Sequence, residues 1–214
     1  MTKKHNPITD RVDLNVQLRF PMLSWSSISA WGYDKEIWYH QYVLGIKARP
    51  NAVMQGGIDV GERITQDPKF LLEIPRPEVF EQNFIEKFGD ITLIGHLDGF
   101  SPSVPGIDEY KTTCNPNRWT QKAVDEWGQL DFYCLLVLLH HNIPPEKLRL
   151  RLFSIPMIET GDFKIIQKGK VTAFETKRTM LDIIKFGALI KRTHKEMQQF
   201  VLDKQYHKGV YLSK

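Results

Sequence analysis

Two short stretches of the sequence carry acids and a lysine where two neighbouring strands could bring them together. The first reads GHLDGF and contains Asp98, and the second reads IDEYKTT and contains Glu109 and Lys111. Successive side chains of a strand point to opposite faces, so Glu109 and Lys111 share one face while Asp108 and Tyr110 share the other. If the two stretches pair across a tight turn, Asp98 converges with Glu109. The pattern predicts a site with two carboxylates and one lysine.

Two neighbouring carboxylates repel each other unless a cation lies between them, and a hard divalent ion with oxygen ligands fits that position. We therefore expect Mg²⁺ or Mn²⁺ as the cofactor. Such an ion activates a water and stabilises charge on a phosphate, while the lysine positions the water or neutralises the oxyanion. This is the chemistry of phosphodiester hydrolysis. An acid and a lysine on neighbouring strands also occur as an ordinary exposed ion pair, and the spacing alone does not separate the two interpretations.

The rest of the chain predicts a small α/β domain in the order helix, strands, helix, strands, helix. Hydroxyl residues in LSWSS indicate a helix start, and the aromatic residues that follow at helical spacing are interpreted as core. Turn residues and strand-like runs delimit the remaining elements. The predicted helices end at Gly45, run from about residue 57 to 67, cover 125–140 and reach from 179 to about 201. The predicted strands cover 79–88, 91–100, 107–112 and 148–155, with a turn at 89–90 and further hairpins around 160–162 and 168–170.

Length and composition predict one globular domain, with residues 1–22 as an N-terminal extension and residues 23–214 as the domain. Cys114 and Cys134 are the two cysteines, and no CxxC pair or Cys/His cluster occurs, which argues against a zinc site and a disulfide framework. The polar N-terminus and the short apolar runs predict a cytoplasmic protein without a membrane segment. The net charge of +4 permits a polyanionic partner without requiring one.

Three motifs in order resemble the RecB-like branch of the PD-(D/E)XK nuclease superfamily. They are GHLD at residues 95–98, EYKTT at residues 109–113, and Gln129 with Tyr133 four residues later on the next helix. The LSWSS segment and its aromatic helix are also similar to the opening segment of these nucleases. The resemblance covers about residues 23–138. It implies a restriction-endonuclease-like α/β domain with a central mixed β-sheet flanked by α-helices.

The resemblance also implies a function and a role for each matched residue. The function is metal-dependent DNA hydrolysis by an exonuclease of recombination, repair or phage-type DNA metabolism, with DNA as the partner. Asp98 and Glu109 would bind Mg²⁺ or Mn²⁺, the Tyr110 carbonyl would add a ligand, and Lys111 would assist the attacking water or the scissile phosphate. A helicase or recombination partner is compatible with this function, although no residue indicates one.

Gln129 and Tyr133 stand at i and i+4, so they share a helix face that can look towards the same site. The alternative for both is ordinary packing as a buried amide and a buried tyrosine.

The chain departs from the family pattern at Gly61, where many relatives carry a metal-binding histidine. Glu62 is our preferred substitute and Asp59 the alternative, unless water completes the ligand shell or both acids are simply solvated. His96 shares a strand face with Asp98 and is interpreted as a satisfied polar residue rather than a ligand. Two cysteines are too few for the iron–sulfur subgroup of the family.

The loop after the lysine strand contains Thr113, Arg118 and Trp119, which could hold phosphates and stack a base. A surface turn with Trp119 folded onto the core is the alternative. Two other functions stay open: a non-catalytic nucleic-acid-binding or partner module that keeps the fold, favoured by the absent histidine, and a hydrolase of another phosphate ester.

Overall fold

The structure is a computed structural model that describes residues 22–46, 51–115, 117–160 and 165–207. Residues 1–21 and 161–164 lie outside this part, so the predicted N-terminal extension and most of the predicted turn at 160–162 stay untested. The described residues form two compact units. One contains the described residues up to 46, residues 87–93 and residues from 187 onward; the other contains residues 51–86 and 94–186 and carries all the predicted site residues.

The described elements alternate between helices and strands as predicted. The helices are α1 Trp25–Tyr33, α2 Lys35–Trp38, which continues as a π-helical turn at Tyr39–Val43, α3 Ala52–Gln66, α4 Gln121–Asp125, α5 Gly128–His141 and α6 Met180–His207, with a 3₁₀ turn at Pro145–Lys147. The strands are β1 Val79–Phe88, β2 Ile91–Ser101, β3 Gly106–Thr113, β4 Arg149–Glu159, β5 Ile165–Gln167 and β6 Thr172–Thr176. No helix in these ranges is long and apolar enough to cross a membrane.

A mixed sheet of six strands organises the described residues, in the order β1-β2-β3-β4-β5 with β6 also paired to β4. β3 runs antiparallel to β2 and parallel to β4, whereas β5 and β6 are antiparallel to β4. The predicted α/β class, a central mixed sheet flanked by helices, is confirmed. The turn at 168–170 connects β5 to β6, but these two strands pair with β4 rather than with each other.

The predicted helix over residues 125–140 corresponds to α5, which begins three residues later, at Gly128. The short helix α4 precedes it and was not predicted, and a buried arginine bonds the backbone between the two helices. Arg178 donates from Nη2 to the carbonyls of Val124 and Trp127 at 3.2 and 3.4 Å, and from Nε to Asp131 at 2.6 Å. These bonds hold the backbone between α4 and α5 and thereby stabilise the interruption. The partner comes from a residue about fifty positions later in the chain, which local periodicity cannot reveal.

α3 begins five residues before the predicted start, because Asn51 caps it by accepting from the Met54 amide at 2.9 Å. Gly57 lets this helix lie close to β3: a Cβ there would stand 2.9 Å from Oγ1 of Thr112. The buried face of α3 carries Val60 and Ile64, which pack in one cluster with Phe153, Ile155 and their neighbours. The helix is thereby held alongside the strand that carries the predicted site.

The helix predicted up to Gly45 is interrupted at Asp34, whose carboxylate caps α2 by accepting from the amides of Glu36 and Ile37. Trp31 and Trp38 are buried edge to face at 5.0 Å, as the core interpretation predicted. The final helix also starts as predicted, since Thr179 donates to Asp182 from both its amide and its hydroxyl.

Candidate active site

The site begins where the backbone pairing of β2 and β3 stops. Their described pairs run from Ser101 opposite Gly106 to Gly99 opposite Asp108. Continuing that register places Asp98 across from Glu109. There the Asp98 carboxylate, at Oδ2, accepts a hydrogen bond of 2.8 Å from the Tyr110 amide.

This contact also indicates where the Tyr110 carbonyl faces. The N–H and C=O of one residue leave a strand on the same side, as the exchange of both bonds in an antiparallel pair requires. The Tyr110 carbonyl therefore faces the β2 side of β3, where Asp98 lies. The sequence-predicted ligand set of two carboxylates and this carbonyl is brought to one place.

Glu109 is the most tightly enclosed acid of the site, with an exposure of 0%. Its Oε1 accepts from Nε2 of Gln129 at 2.8 Å and pairs with Lys111, whereas its Oε2 is buried without a hydrogen-bond partner. Burial, together with the charge of Asp98, raises the pKa of Glu109 to about 8 against the opposing effects of Lys111 and Gln129. An acid kept in such surroundings with one oxygen unpaired is suited to receive a cation.

The charges of Lys111 and Asp98 both affect the pKa of Glu109. Burial raises the pKa of Asp98, with Lys111 and the Tyr110 amide opposing the shift. Burial alone would lower the pKa of Lys111, but the carboxylates of Glu109 and Asp98 outweigh it and the pKa is raised. Lys111 is therefore a fixed positive charge between two acids.

A hydrogen-bond chain from α5 fixes Glu109. Gln129 donates from Nε2 to both Glu109 and the Tyr133 hydroxyl, the latter at 2.6 Å, and Tyr133 donates onward to the His96 carbonyl at 2.6 Å. Gln129 and Tyr133 lie on one helix face, as predicted. Gln129 contacts Glu109, and Tyr133 contacts Gln129 and the backbone of β2. The His96 side chain is exposed, so its backbone oxygen rather than its ring takes part in this chain. α5 reaches β2 closely because residue 95 is glycine: a Cβ there would lie 2.4 Å from a Leu136 methyl.

α3 forms one wall of a cleft of about 750 Å³ that Asp98 and Lys111 also line. Glu62 lies on this wall, whereas Asp59 lies outside the lining and accepts a hydrogen bond from Gln55 at 2.8 Å. Glu62, the substitute that the sequence analysis preferred, therefore lies in the cleft, and Asp59 does not. Gly61 lines the cleft too, and a Cβ there would meet nothing within 4 Å.

Glu81 on β1 also lines this cleft, and the sequence analysis missed it. Burial and the charge of Asp98 raise its pKa, while His96 opposes the shift. Its backbone has a φ of +52°, a conformation uncommon for residues other than glycine. A usable signal existed in the sequence, since counting back through the hairpin from the Gly89–Asp90 turn places residue 81 opposite Asp98.

The predicted substrate loop packs against a second tryptophan, Trp127, at the start of α5. Trp119 and Trp127 pack with ring centroids 4.8 Å apart, and Nζ of Lys111 lies 5.3 Å from the Trp127 ring. Arg118 is exposed, with Cζ 5.5 Å from the Trp119 ring. The Thr113 hydroxyl bonds within its own turn, to Asn115. Trp119 is partly buried against the core, as the surface-turn alternative predicted, and Trp127 packs on the same cluster.

The donor set suits a hard divalent cation. In the part of the chain that the structure describes, no three His, Cys, Asp or Glu side chains form a ready metal cluster. Asp98, Glu109 and the Tyr110 carbonyl would therefore share the ion with water. Mg²⁺ binds in this manner, because it is held by one or two carboxylates and keeps several waters. The unpartnered Oε2 of Glu109 fits this interpretation.

Comparisons with known proteins place this architecture among solved exonuclease structures. A candidate exonuclease from Eubacterium rectale matches with a TM-score of 0.55 at 10% identity over 88% of this chain and 83% of the other. A phage-related exonuclease from Haemophilus somnus 129PT matches with a TM-score of 0.54 at 13% identity over 90% of both chains. The alkaline exonuclease of Laribacter hongkongensis matches with 0.50 at 15% identity over 90% and 96%. No protein family and no curated protein matches the sequence. At these identities the similarity establishes a fold shared with nucleases.

Proposed function

We propose that the protein is a divalent-metal-dependent DNA nuclease that hydrolyses phosphodiester bonds. The observation that carries the proposal is the enclosed Glu109 carboxylate, which has one oxygen unpaired and lies beside both Asp98 and Lys111. Repulsion between two carboxylates in a buried site is relieved by a cation, and a carboxylate-held cation next to a lysine suits reactions at phosphate. The shared exonuclease fold supports the same function.

Each residue of the site has a distinct part in this proposal. Asp98, Glu109 and the Tyr110 carbonyl hold Mg²⁺ or Mn²⁺. When bound, the ion lowers the pKa of a water and neutralises charge that develops on the phosphate. Lys111 stays protonated between the acids, so it orients the attacking water or stabilises the scissile phosphate by its charge.

Gln129 and Tyr133 are positioning residues in this proposal. Gln129 holds Oε1 of Glu109, and Tyr133 ties Gln129 to the backbone of β2 through the His96 carbonyl. Hydrogen-bonded neighbours that orient a ligating carboxylate are needed for full metal affinity and activity.

Glu62 is the helix acid that we assign to the metal from the side of α3. It lines the cleft with Asp98, and because no three-acid cluster occurs among the described residues, Glu62 would reach the ion through a water. This acid takes the place of the histidine that the resembled family carries at Gly61.

Arg118, Trp119 and Thr113 are assigned to the DNA. Arg118 is exposed and can pair with a phosphate, while Trp119 offers a ring near the lysine side of the site. Thr113 borders the loop and is held in its turn, so its contribution is through the shape of the loop.

The exonuclease assignment rests on similar structures, which are named as exonucleases. We accordingly propose degradation from DNA ends, in recombination, repair or phage-type DNA metabolism and in the cytoplasm. Incubation of purified protein with linear and covalently closed DNA, with Mg²⁺, Mn²⁺ or EDTA, tests the proposal. Loss of linear DNA alone, abolished by EDTA, is expected; cleavage of both forms would make the protein an endonuclease, and cleavage of neither would contradict nuclease function.

Gly61 favours one alternative, a DNA-binding module that keeps the fold without turnover. Gly61 lines the cleft without contributing a side chain to it. This alternative predicts DNA binding with no divalent-dependent cleavage under any of the conditions above. Cleavage by the purified protein would rule it out.

A further inference from the structure

Glu81 lies on the wall of the cleft, and none of the roles proposed above uses it. It lines the cleft together with Asp98 and Lys111. Both carboxylates belong to residues of one cleft wall, and the charge of Asp98 contributes to the raised pKa of Glu81. No side-chain hydrogen bond or ion pair joins Glu81 to another of the described residues. A carboxylate on such a wall with no protein partner is available to a ligand.

Three neighbouring strands, β1, β2 and β3, contribute the acids Glu81, Asp98 and Glu109 to this site. Asp98 lines the cleft with Glu81, and its charge raises the pKa of Glu109. Like charges that are brought close together repel one another. When all are ionised, the three acids carry three negative charges and Lys111 one positive charge, so two negative charges remain. That remainder equals the charge of one divalent cation.

The backbone of Glu81 has a strained conformation. Its φ of +52° lies in the left-handed region, which disfavours residues with a side chain. Local irregularities of this kind in a strand re-aim a side chain, and strained residues cluster at functional sites. Glycine would adopt this conformation without strain, whereas glutamate brings a carboxylate to the cleft wall.

We propose that Glu81 is a positioning residue whose carboxylate accepts hydrogen bonds from waters on the divalent cation held by Asp98 and Glu109. Contact through water follows from the absence of any three-acid cluster in the described residues. Mg²⁺ retains several waters, and acceptors that orient such waters tune metal affinity. The inference rests on the proposed metal site, although not on DNA being the substrate.

Calorimetric titration of the DNA-free, full-length protein with Mn²⁺ tests this role without any activity assay. Glu81→Gln should weaken Mn²⁺ binding about tenfold. Glu78→Gln removes an acid directly before β1, where it bonds to Ser103 outside the cleft, and should leave Mn²⁺ binding unchanged. The loss in Glu81→Gln should persist at about 0.5 M KCl, because salt screens a distant charge but not a hydrogen bond to a bound water.

The variant Glu81→Gly distinguishes the effect of the carboxylate on Mn²⁺ binding from the effect of the backbone conformation on stability. Because glycine tolerates the left-handed conformation, this variant should unfold at a higher temperature than the wild type and still lose Mn²⁺ affinity as Glu81→Gln does. Wild-type Mn²⁺ affinity in either variant would overturn the inference, as would a wild-type protein that binds no Mn²⁺. Reduced affinity in both variants beside a wild type that cleaves no DNA would support Glu81 and contradict only the nuclease.

Discussion

Among single residues, Glu109 most directly links the site to pH. Its pKa of about 8 means that the metal-free protein holds a proton there at neutral pH. A cation that binds this carboxylate must displace that proton, so cation affinity should rise with pH up to about 8 and then level off. Strand parity and hairpin pairing predicted that Asp98 and Glu109 lie close together, and the family resemblance supplied their proposed role. The proton on Glu109 was not, because it depends on burial to 0% exposure.

Glu109→Gln should stabilise the metal-free protein, and more strongly as pH rises. The unfolded glutamate loses its proton near its ordinary pKa of 4.5, whereas the folded one keeps it up to about 8. Between these values folding takes up a proton, so wild-type stability falls with rising pH. Thermal unfolding in EDTA at about pH 5 and pH 8.5 should show a Tm advantage of the variant that grows with pH. A constant difference, or a variant less stable at the higher pH, would contradict the burial argument.

Tyr133→Phe should lower the rate of cleavage about tenfold by releasing Gln129 from the His96 carbonyl. It should also cost about 1 kcal/mol of unfolding free energy, the usual value of a lost hydrogen bond. Tyr110→Phe is the matched control, because the Tyr110 hydroxyl is buried without a partner. Rates from single-turnover cleavage and free energies from urea unfolding would decide. Equal behaviour of the two variants would remove Tyr133 from the positioning chain.

Among the secondary-structure elements, α3 and β3 together set the width of the cleft. Gly57 permits their close approach to Thr112, whereas Gly61 faces open space. The strands around the site followed from period-two patterns and turn residues. The bounds of β1, β2 and β3 differ from the prediction by at most one residue, whereas β4 extends four residues further, to Glu159. The helices were less predictable, since the α4–α5 break depends on Arg178 and the start of α3 on Asn51. Both determinants lie outside the periodic pattern.

Gly57→Ala and Gly61→Ala should have opposite effects although both lie in α3. The added methyl at position 57 stands 2.9 Å from Oγ1 of Thr112, so helix or strand must shift and stability should fall. At position 61 the methyl meets nothing, so alanine should gain up to about 1 kcal/mol from helix propensity. Urea unfolding of both variants measures the difference. Destabilisation by both, or by neither, would contradict the described approach of α3 to β3.

At the scale of the whole molecule, the order of elements predicted the fold class and three motifs predicted the candidate site. Neither predicted the position of Glu81 in the cleft. Its neighbourhood depends on β1 continuing the sheet beside β2, a pairing that the sequence analysis did not extend to the acids. A site assembled from three strands and two helices should also link cation binding to the stability of the whole chain.

Mn²⁺ should therefore raise the Tm of the wild-type protein, and Asp98→Asn should abolish most of that increase. A ligand that binds only the folded state adds about 2.7 kcal/mol when its free concentration is about 100 times Kd. For a chain of this size each kcal/mol corresponds to roughly 2–4 °C. Differential scanning fluorimetry with Mn²⁺ and with EDTA provides the measurement. An equal rise in Asp98→Asn would indicate that the cation binds elsewhere.

The most direct test of the nuclease assignment is release of labelled nucleotides from linear DNA with Mn²⁺ by wild type, Lys111→Met and Lys122→Met. Lys122 is an exposed lysine that pairs only loosely with Glu126, so its variant controls for loss of charge. We predict cleavage by wild type and Lys122→Met, and a rate about 100-fold lower for Lys111→Met. Equal rates for all three proteins, or no Mn²⁺-dependent release by the wild type, would contradict the assignment.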